Sequence, residues 1–172
     1  DEADMSADAI KTVDFPPAYG ADIVVSCEKA KDPKNGSIYL KPTQFVLGIG
    51  CRRDTAFENI DRAIRQSLLK LQIDISDIDM IASIDVKKDE PGIKEFCDRN
   101  RIEFVTYTAD ELMAVQGEFS ASQFVREHVG VDNVCERAAV LACSRECNKA
   151  GENIYKKHKY DRVTVAAARY PD

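Results

Sequence analysis

The segment Gly48-Ile49-Gly50-Cys51-Arg52-Arg53-Asp54-Thr55 decides the fold that this sequence predicts. The apolar run just before it, at positions 44–47, predicts a short buried strand. Thr55 and Glu58 have the spacing of a capping box, which predicts that a helix starts here. The two glycines predict a sharp turn between strand and helix, because glycine tolerates bends that other residues do not. A helix start attracts anions, so the unit predicts an anion site; a tight turn with solvent-facing arginines is the alternative.

The chain beyond this segment alternates between helical and strand patterns. Apolar residues at helical spacing predict a helix at 56–71, and short apolar runs predict strands at 79–84 and 103–107. Asp89 is placed to cap a second helix that runs to about Asn100 and carries a proline in its first turn.

The second half of the chain continues this alternation. Three sequence signals predict helix starts: Thr108 with Glu111, Ser120 before a helix at 121–129 that Gly130 ends, and Asn133 with Glu136. Two apolar runs, at 153–157 and 162–168, predict a closing hairpin. Together the elements predict a three-layer α/β/α domain with a mixed sheet of about five strands. Its first strands are expected to be parallel, and its C-terminal hairpin antiparallel.

Residues 1–41 differ from the rest of the chain. Prolines and glycines punctuate them, and positions 21–27 alone predict a strand. Because one strand cannot bury a core, we expect this segment to be the tail of a preceding region or a linker, with the α/β domain at 42–172. The sequence begins without an initiator methionine, so we expect it to be a piece of a longer protein.

The charge and cysteine content of the chain indicate which classes of molecule it is expected to bind. A net charge of -6 disfavours nucleic acid and anionic membranes as general partners. No apolar run reaches the length that spans a bilayer. The six cysteines lack a zinc-type spacing, so we predict no metal site and expect reduced thiols in a cytoplasmic protein. A metal or redox pair of Cys143 and Cys147 is the alternative.

Two loops are expected to form one ligand crevice. Positions 50–54 and 85–90 follow the first two predicted strands of the domain, and ligands of open α/β sheets bind where strands end. Gly50, Cys51, Arg52 and Arg53 come from the first loop, and one of the neighbouring lysines Lys87 and Lys88 from the second. Paired guanidinium groups suit a ligand that carries several carboxylates.

Three residues of these loops have alternative interpretations. Asp89 and Glu90 are either helix caps or an acid–base pair, and acid–base work requires a displaced pKa. Cys51 is either a nucleophile activated by arginines and a helix start or a small buried thiol.

Several motifs resemble the C-terminal domain of the cobalamin-biosynthesis protein CbiG and its stand-alone relative CobE. The motifs are Gly48-Ile-Gly-Cys-Arg-Arg-Asp-Thr55, Ser83-Ile-Asp-Val-Lys-Lys-Asp-Glu-Pro-Gly92, Thr108-Ala-Asp-Glu-Leu112, Ser122-Gln-Phe-Val-Arg-Glu-His-Val-Gly130 and Val163-Thr-Val-Ala-Ala167. The likeness runs from about Pro42 to the end, and residues 1–41 resemble the tail of the central region of CbiG.

The resemblance implies the anaerobic route to cobalamin. Full-length CbiG is a hydrolase that opens the δ-lactone of cobalt-precorrin-5A and releases acetaldehyde to give cobalt-precorrin-5B. It implies two partners, a cobalt-corrinoid ligand and the missing N-terminal part of the same protein. No cofactor is expected, because cobalt arrives with the substrate.

We expect Arg52, Arg53 and Lys87 to hold the substrate carboxylates. We expect Asp89 or Glu90 to activate water at the lactone. Both expectations rest on the positions of these residues and on their chemical type. A non-catalytic corrinoid-binding module like CobE is the competing class. An unrelated anion-binding α/β protein is the third reading.

Overall fold

The computed structural model describes residues 45–120, 131, 133–147 and 150–170, together with the backbone of three short strands before position 45. The chain divides into two units. One comprises Asp1–Thr43 with Asp172, and the other comprises Gln44–Pro171.

The first unit contains a small three-stranded sheet. Its strands are β1 (Lys11–Val13), β2 (Ile23–Val25) and β3 (Ile38–Leu40), in the order β1-β2-β3. β1 and β2 are antiparallel, whereas β2 and β3 are parallel. The expectation of a single strand in this region is therefore wrong, although β2 lies within the segment that predicted it.

The second unit is built on a five-stranded mixed sheet in the order β6-β5-β4-β8-β7. β4, β5 and β6 are parallel, whereas β8 pairs antiparallel with both β4 and β7. This confirms the predicted fold class and the pairing of the first two strands. The bounds are β4 (Phe45–Cys51), β5 (Ile78–Ile84), β6 (Glu103–Tyr107), β7 (Glu152–Lys159) and β8 (Val163–Arg169).

Helices cover both faces of this sheet, which gives the three predicted layers. α1 (Phe57–Leu71) and α2 (Pro91–Asn100) pack on one face, while α3 (Ala109–Ala114) and α4 (Val134–Cys147) pack on the other. Side chains of a strand alternate between the two faces, so β4 contributes to two cores. Leu47 and Ile49 pack against α1 and α2, whereas Val46 packs against α3 and α4.

The glycine-rich segment forms a strand where the sequence predicted a turn. β4 continues through Gly48 and Gly50 to Cys51, and the chain then bends at Asp54, whose φ is 55°. The interpretation of both glycines as turn residues is therefore wrong. At Gly48 the absence of a side chain is needed for packing, because a Cβ there would lie 1.7 Å from the carbonyl oxygen of Cys135 in α4.

Two helix starts differ from the predicted caps. α1 begins after Ala56 without a side-chain cap, so the Thr55–Glu58 capping box is wrong; the Thr55 hydroxyl instead donates to the carbonyl oxygen of Arg52 at 2.6 Å. α2 begins after Glu90 without a side-chain cap, so the expected cap by Asp89 is also wrong. The expected proline occupies its first turn.

Two other helix starts agree with the sequence. The Thr108–Glu111 capping box is present at α3, and the Asn133 side chain accepts a hydrogen bond from the backbone of Glu136 at α4. The predicted helix at 121–129 lies outside the described residues. Within the described part of the chain, no helix is long and apolar enough to cross a membrane.

Candidate functional site

Three chain segments meet at one edge of the large sheet. β4 and β5 are parallel neighbours, so Cys51 and Ile84, their last residues, lie at the same edge. β8 runs antiparallel to β4 and pairs its first residue, Val163, with Cys51. The turn of the β7–β8 hairpin therefore lies beside the two loops that the sequence placed at the site. Tyr160 closes this turn by donating its backbone N–H to the carbonyl of Val163 at 2.8 Å.

These segments enclose an open cleft of about 410 Å³. Its walls come from the ends of β4 and β5, the start of α4 and the β7–β8 hairpin. The lining residues are Gly50, Cys51, Arg52, Ile84, Val86, Lys87, Val134, Lys157, Lys159, Tyr160, Asp161, Arg162, Val163 and Thr164.

The lining of this cleft is strongly basic. Five of the described residues that form it are lysines or arginines, and Asp161 alone carries a carboxylate. The chain as a whole has a net charge of -6, so the excess of basic residues in the cleft is opposite in sign to the overall charge. Like charges gathered in a cleft with apolar walls raise the local concentration of anions. The cleft is therefore suited to an anionic ligand.

Three of these cations come from the hairpin and were missed by the sequence interpretation. Lys157 and Lys159 lie on one face of β7, and Arg162 lies in the hairpin turn. The predicted strand ended at Lys157, whereas β7 continues through His158 to Lys159. Basic residues at alternate positions before a turn were the available signal, because alternate side chains of a strand share a face.

An apolar surface accompanies the basic groups. Ile84, Val86 and Val134 line the cleft; Ile84 and Val134 are buried, whereas Val86 is 67% exposed. Removing such a side chain from water favours binding by roughly 25 cal/mol per Å² of apolar area. The cleft thus combines cations with a surface for an apolar part of the same ligand.

Glu90 joins the two loops that follow β4 and β5. One carboxylate oxygen accepts a hydrogen bond from the backbone N–H of Thr55 at 3.0 Å. The other accepts one from Nζ of Lys87 at 2.9 Å. The side chain of Glu90 is 5% exposed and that of Lys87 14%, so the ion pair is largely shielded from water. Removing either member of such a pair would leave the other as a shielded charge without its partner, which is costly.

A second buried carboxylate, Glu136, lies behind Lys157. It accepts hydrogen bonds from the backbone N–H groups of Lys157 and Ser120, at 2.7 Å and 3.2 Å, and from the Asn153 amide at 3.1 Å. Burial raises the pKa of Glu136, but these hydrogen bonds outweigh burial and hold its pKa below the ordinary value. Glu136 therefore fastens β7 to the start of α4 as an anion.

The structure brings together four of the predicted ligand-contacting residues. Gly50, Cys51, Arg52 and Lys87 all line the cleft, whereas Arg53 does not. The two neighbouring lysines lie in different places: Lys87 lines the cleft, whereas Lys88 is exposed and lies outside it. Residues 85–87 form a 3-10 turn, so the alternation of an extended chain does not govern this choice.

The two predicted catalytic carboxylates do not line the cleft. Asp89 is 77% exposed, and its carboxylate lies 3.8 Å from the ammonium group of Lys94 in α2. Glu90 is engaged with Thr55 and Lys87 as described above.

The Cys51 thiol lines the cleft as a neutral group. Burial, the largest effect, raises the pKa of Cys51 to about 11, although the positive charge of Lys87 acts in the opposite direction. A thiol with this pKa is almost entirely protonated near neutral pH and is a poor nucleophile. This favours the interpretation of Cys51 as a small thiol rather than a nucleophile, although the residue is half-buried and not fully buried as expected.

The fold and the cleft together define an α/β domain with a basic cleft at the carboxyl ends of its parallel strands, the place where open α/β sheets bind ligands. Comparison with known proteins then identifies the family. Residues 45–168 match the family described as "Cobalamin synthesis G C-terminus", and the chain belongs to this family. The family expected from the sequence motifs is thereby confirmed.

Relatives in this family carry related names. The chain is 38% identical over 102 residues to a cobalt-precorrin-5A hydrolase of Salmonella typhimurium, covering 59% of this chain and 29% of that protein. It is 31% identical over 137 residues to a probable cobalt-precorrin-5A hydrolase of Methanocaldococcus jannaschii, covering 77% of this chain and 42% of the relative. The chain thus spans less than half the length of these two relatives.

A solved structure shares the fold. The crystal structure of CobE, a protein from the cobalamin biosynthetic pathway, superposes with a TM-score of 0.70 at 26% sequence identity. The match covers 74% of this chain and 91% of the CobE chain.

Proposed function

We propose that this chain acts in cobalamin biosynthesis as the corrinoid-binding part of a cobalt-precorrin-5A hydrolase. The observation that carries the proposal is the cluster of five basic side chains in the cleft of an acidic chain that belongs to this family. Cobalt is part of the proposed substrate, so the proposal includes no separate cofactor. A cytoplasmic location stays a prediction.

The chemistry of the substrate supports this proposal. A corrinoid intermediate is a flat, largely apolar macrocycle with acetate and propionate carboxylates around its rim. Arg52, Lys159 and Arg162 suit the carboxylates, because guanidinium and ammonium groups form charge-assisted hydrogen bonds with them. The exposed residue Val86 suits the apolar ring.

In the proposed reaction, water opens the δ-lactone of cobalt-precorrin-5A, and the extruded two-carbon unit leaves as acetaldehyde. Asp89 or Glu90 stays the proposal for the group that activates this water, but neither carboxylate lines the cleft, and for Glu90 the geometry favours the positioning role argued below. The N-terminal part of the longer relatives is the proposed partner, because the chain covers 29% and 42% of their lengths.

A second candidate is a binding module without catalytic activity. The similarity to CobE favours it, because the match covers 91% of the CobE chain, so the same fold exists without the additional length of the hydrolases. In that case the cleft would hold a corrinoid intermediate while another protein performs the chemistry.

A visible-absorption titration with cobalt-precorrin-5A, with acetaldehyde assayed in the same tube, tests both candidates. Saturable binding with acetaldehyde release supports a hydrolase site within this chain. Binding without release supports a corrinoid-holding role, either as one part of a larger hydrolase or as a separate module. An absence of binding contradicts both.

Paired variants test whether the cleft is the binding site. The double variant Lys159→Gln with Arg162→Gln removes two cations from the lining, and we expect about tenfold weaker binding at low salt. Arg53→Gln with Lys88→Gln removes the same charge from two exposed residues outside the lining and serves as the control. Equal losses in both double variants would show that net charge, rather than the cleft, governs binding.

A further inference from the structure

Glu90 is placed to act on the cleft through another residue. Its carboxylate does not line the cleft, and both of its oxygens are engaged, one by the Thr55 backbone and one by the Lys87 ammonium group. Lys87 does line the cleft. The contact of Glu90 with the ligand pocket is therefore indirect, by way of Lys87.

The packing around Glu90 leaves little room for another arrangement. A Cβ on Gly92 would lie 2.3 Å from the carbonyl oxygen of Thr55, so the start of α2 lies directly against the loop after β4. Thr55 itself is buried, and its N–H would lose its hydrogen-bond acceptor without Glu90. A buried polar group without a partner is costly, which favours keeping the carboxylate in place.

We propose that Glu90 is a positioning residue, which holds the ammonium group of Lys87 in the cleft from its own fixed place between the loops after β4 and β5. A lysine side chain has several rotatable bonds, and fixing it before the ligand arrives removes an ordering cost from binding. The effect on ligand affinity rests on the proposed function, whereas the contact itself is measured without a ligand.

The first experiment examines Lys87 in the ligand-free 172-residue chain. Ammonium protons in a shielded ion pair exchange with water more slowly than those of a solvated lysine, so Lys87 should give a lysine side-chain signal in a ¹H–¹⁵N spectrum. Lys87→Met assigns that signal by removing it. We expect Glu90→Gln and Glu90→Asp both to abolish it. Gln lacks the charge, and Asp keeps the charge but is too short to reach both partners.

The second experiment is a double-mutant cycle on binding of uroporphyrin, a porphyrin with carboxylates around its rim. With Lys87 present, we expect Glu90→Gln and Glu90→Asp to weaken binding about tenfold. In a Lys87→Met background, we expect the same changes to alter binding by less than about twofold. Circular dichroism checks that each variant is folded. If Glu90→Gln does not fold, the cycle is carried out with Glu90→Asp alone.

The outcomes separate this inference from the proposed function. A Lys87 signal that persists in Glu90→Gln overturns the positioning role, and so does an equal loss of affinity with and without Lys87. Tighter binding by Glu90→Gln also overturns it, because that result identifies the carboxylate as a repulsive charge only. If the signal behaves as expected but the wild-type chain binds neither uroporphyrin nor cobalt-precorrin-5A, the positioning contact stands and the proposed function fails.

Discussion

Gly48 lies directly against the carbonyl group of Cys135: a Cβ on Gly48 would be 1.7 Å from the carbonyl oxygen and 2.6 Å from the carbonyl carbon. Both atoms belong to the backbone of α4, so room for a side chain requires movement of the helix. A Cβ on Gly50, on the same face of β4, would meet only the hydroxyl of Thr164, at 2.6 Å. That group belongs to a side chain that can rotate.

This difference predicts unequal effects of two alanine substitutions. We expect Gly48→Ala to lower the free energy of unfolding by about 3 kcal/mol, because overpacking against a backbone cannot be relieved by a rotamer change. Gly50→Ala is the matched control and should cost about 1 kcal/mol. Urea unfolding of both variants measures the difference. Equal losses would contradict the close helix–strand contact.

The adjacent residues Arg52 and Arg53 offer a second matched pair. Both are exposed, but Arg52 lines the cleft and Arg53 does not. We expect Arg52→Gln to weaken binding of cobalt-precorrin-5A about fivefold at low salt and less at high salt, because screening weakens the same contact. Arg53→Gln should alter affinity by less than about twofold. A titration at two salt concentrations measures both, and similar effects of the two changes would remove Arg52 from the site.

Val86 is expected to contribute an apolar contact to the ligand. It is exposed in the cleft, whereas Leu69 is an exposed apolar residue of α1 that does not line it. Burying the Val86 side chain under a macrocycle is worth about 1 kcal/mol, so Val86→Ser should weaken binding about fivefold. Leu69→Ser is the control and should leave affinity unchanged. If affinity is the same after both substitutions, the ligand does not cover Val86.

The buried carboxylate of Glu136 should make the free energy of unfolding depend on pH. Its pKa in the folded chain is held below the ordinary value of 4.5, so its stabilising effect is complete above pH 4.5 and is lost as pH falls through the lower, folded-state pKa. Glu136→Gln should therefore cost about 2 kcal/mol near pH 7 and clearly less near pH 3.

Urea unfolding at several pH values measures this dependence. Glu58→Gln, which changes an exposed carboxylate of α1, is the control. A pH-independent cost of Glu136→Gln would show that shape, rather than charge, explains the effect.

Local patterns predicted most elements but misassigned the contacts at two helix starts. The Thr108–Glu111 box formed as predicted, because both partners lie within one turn of the same helix. Thr55 and Glu58 have the same spacing, yet the Thr55 N–H is bonded by Glu90, 35 residues further along the chain. The spacing of residues within one helix start cannot predict a hydrogen bond to a residue so distant in the chain.

The sequence by itself determined the three-layer class, the parallel pairing of β4 with β5, and the placing of Gly50, Cys51, Arg52 and Lys87 at one crevice. It did so because apolar periodicity depends only on residues close together in the chain. The crevice follows from two neighbouring strands, since ligands of open α/β sheets bind where parallel strands end. Only the tertiary structure decided that the glycines of β4 lie beneath a helix, and that β8 lies beside β4 with Lys157, Lys159 and Arg162 at the same cleft. Thr164 and Gly50 are 114 residues apart in the chain, and the pairing of such distant strands depends on how all the layers pack together.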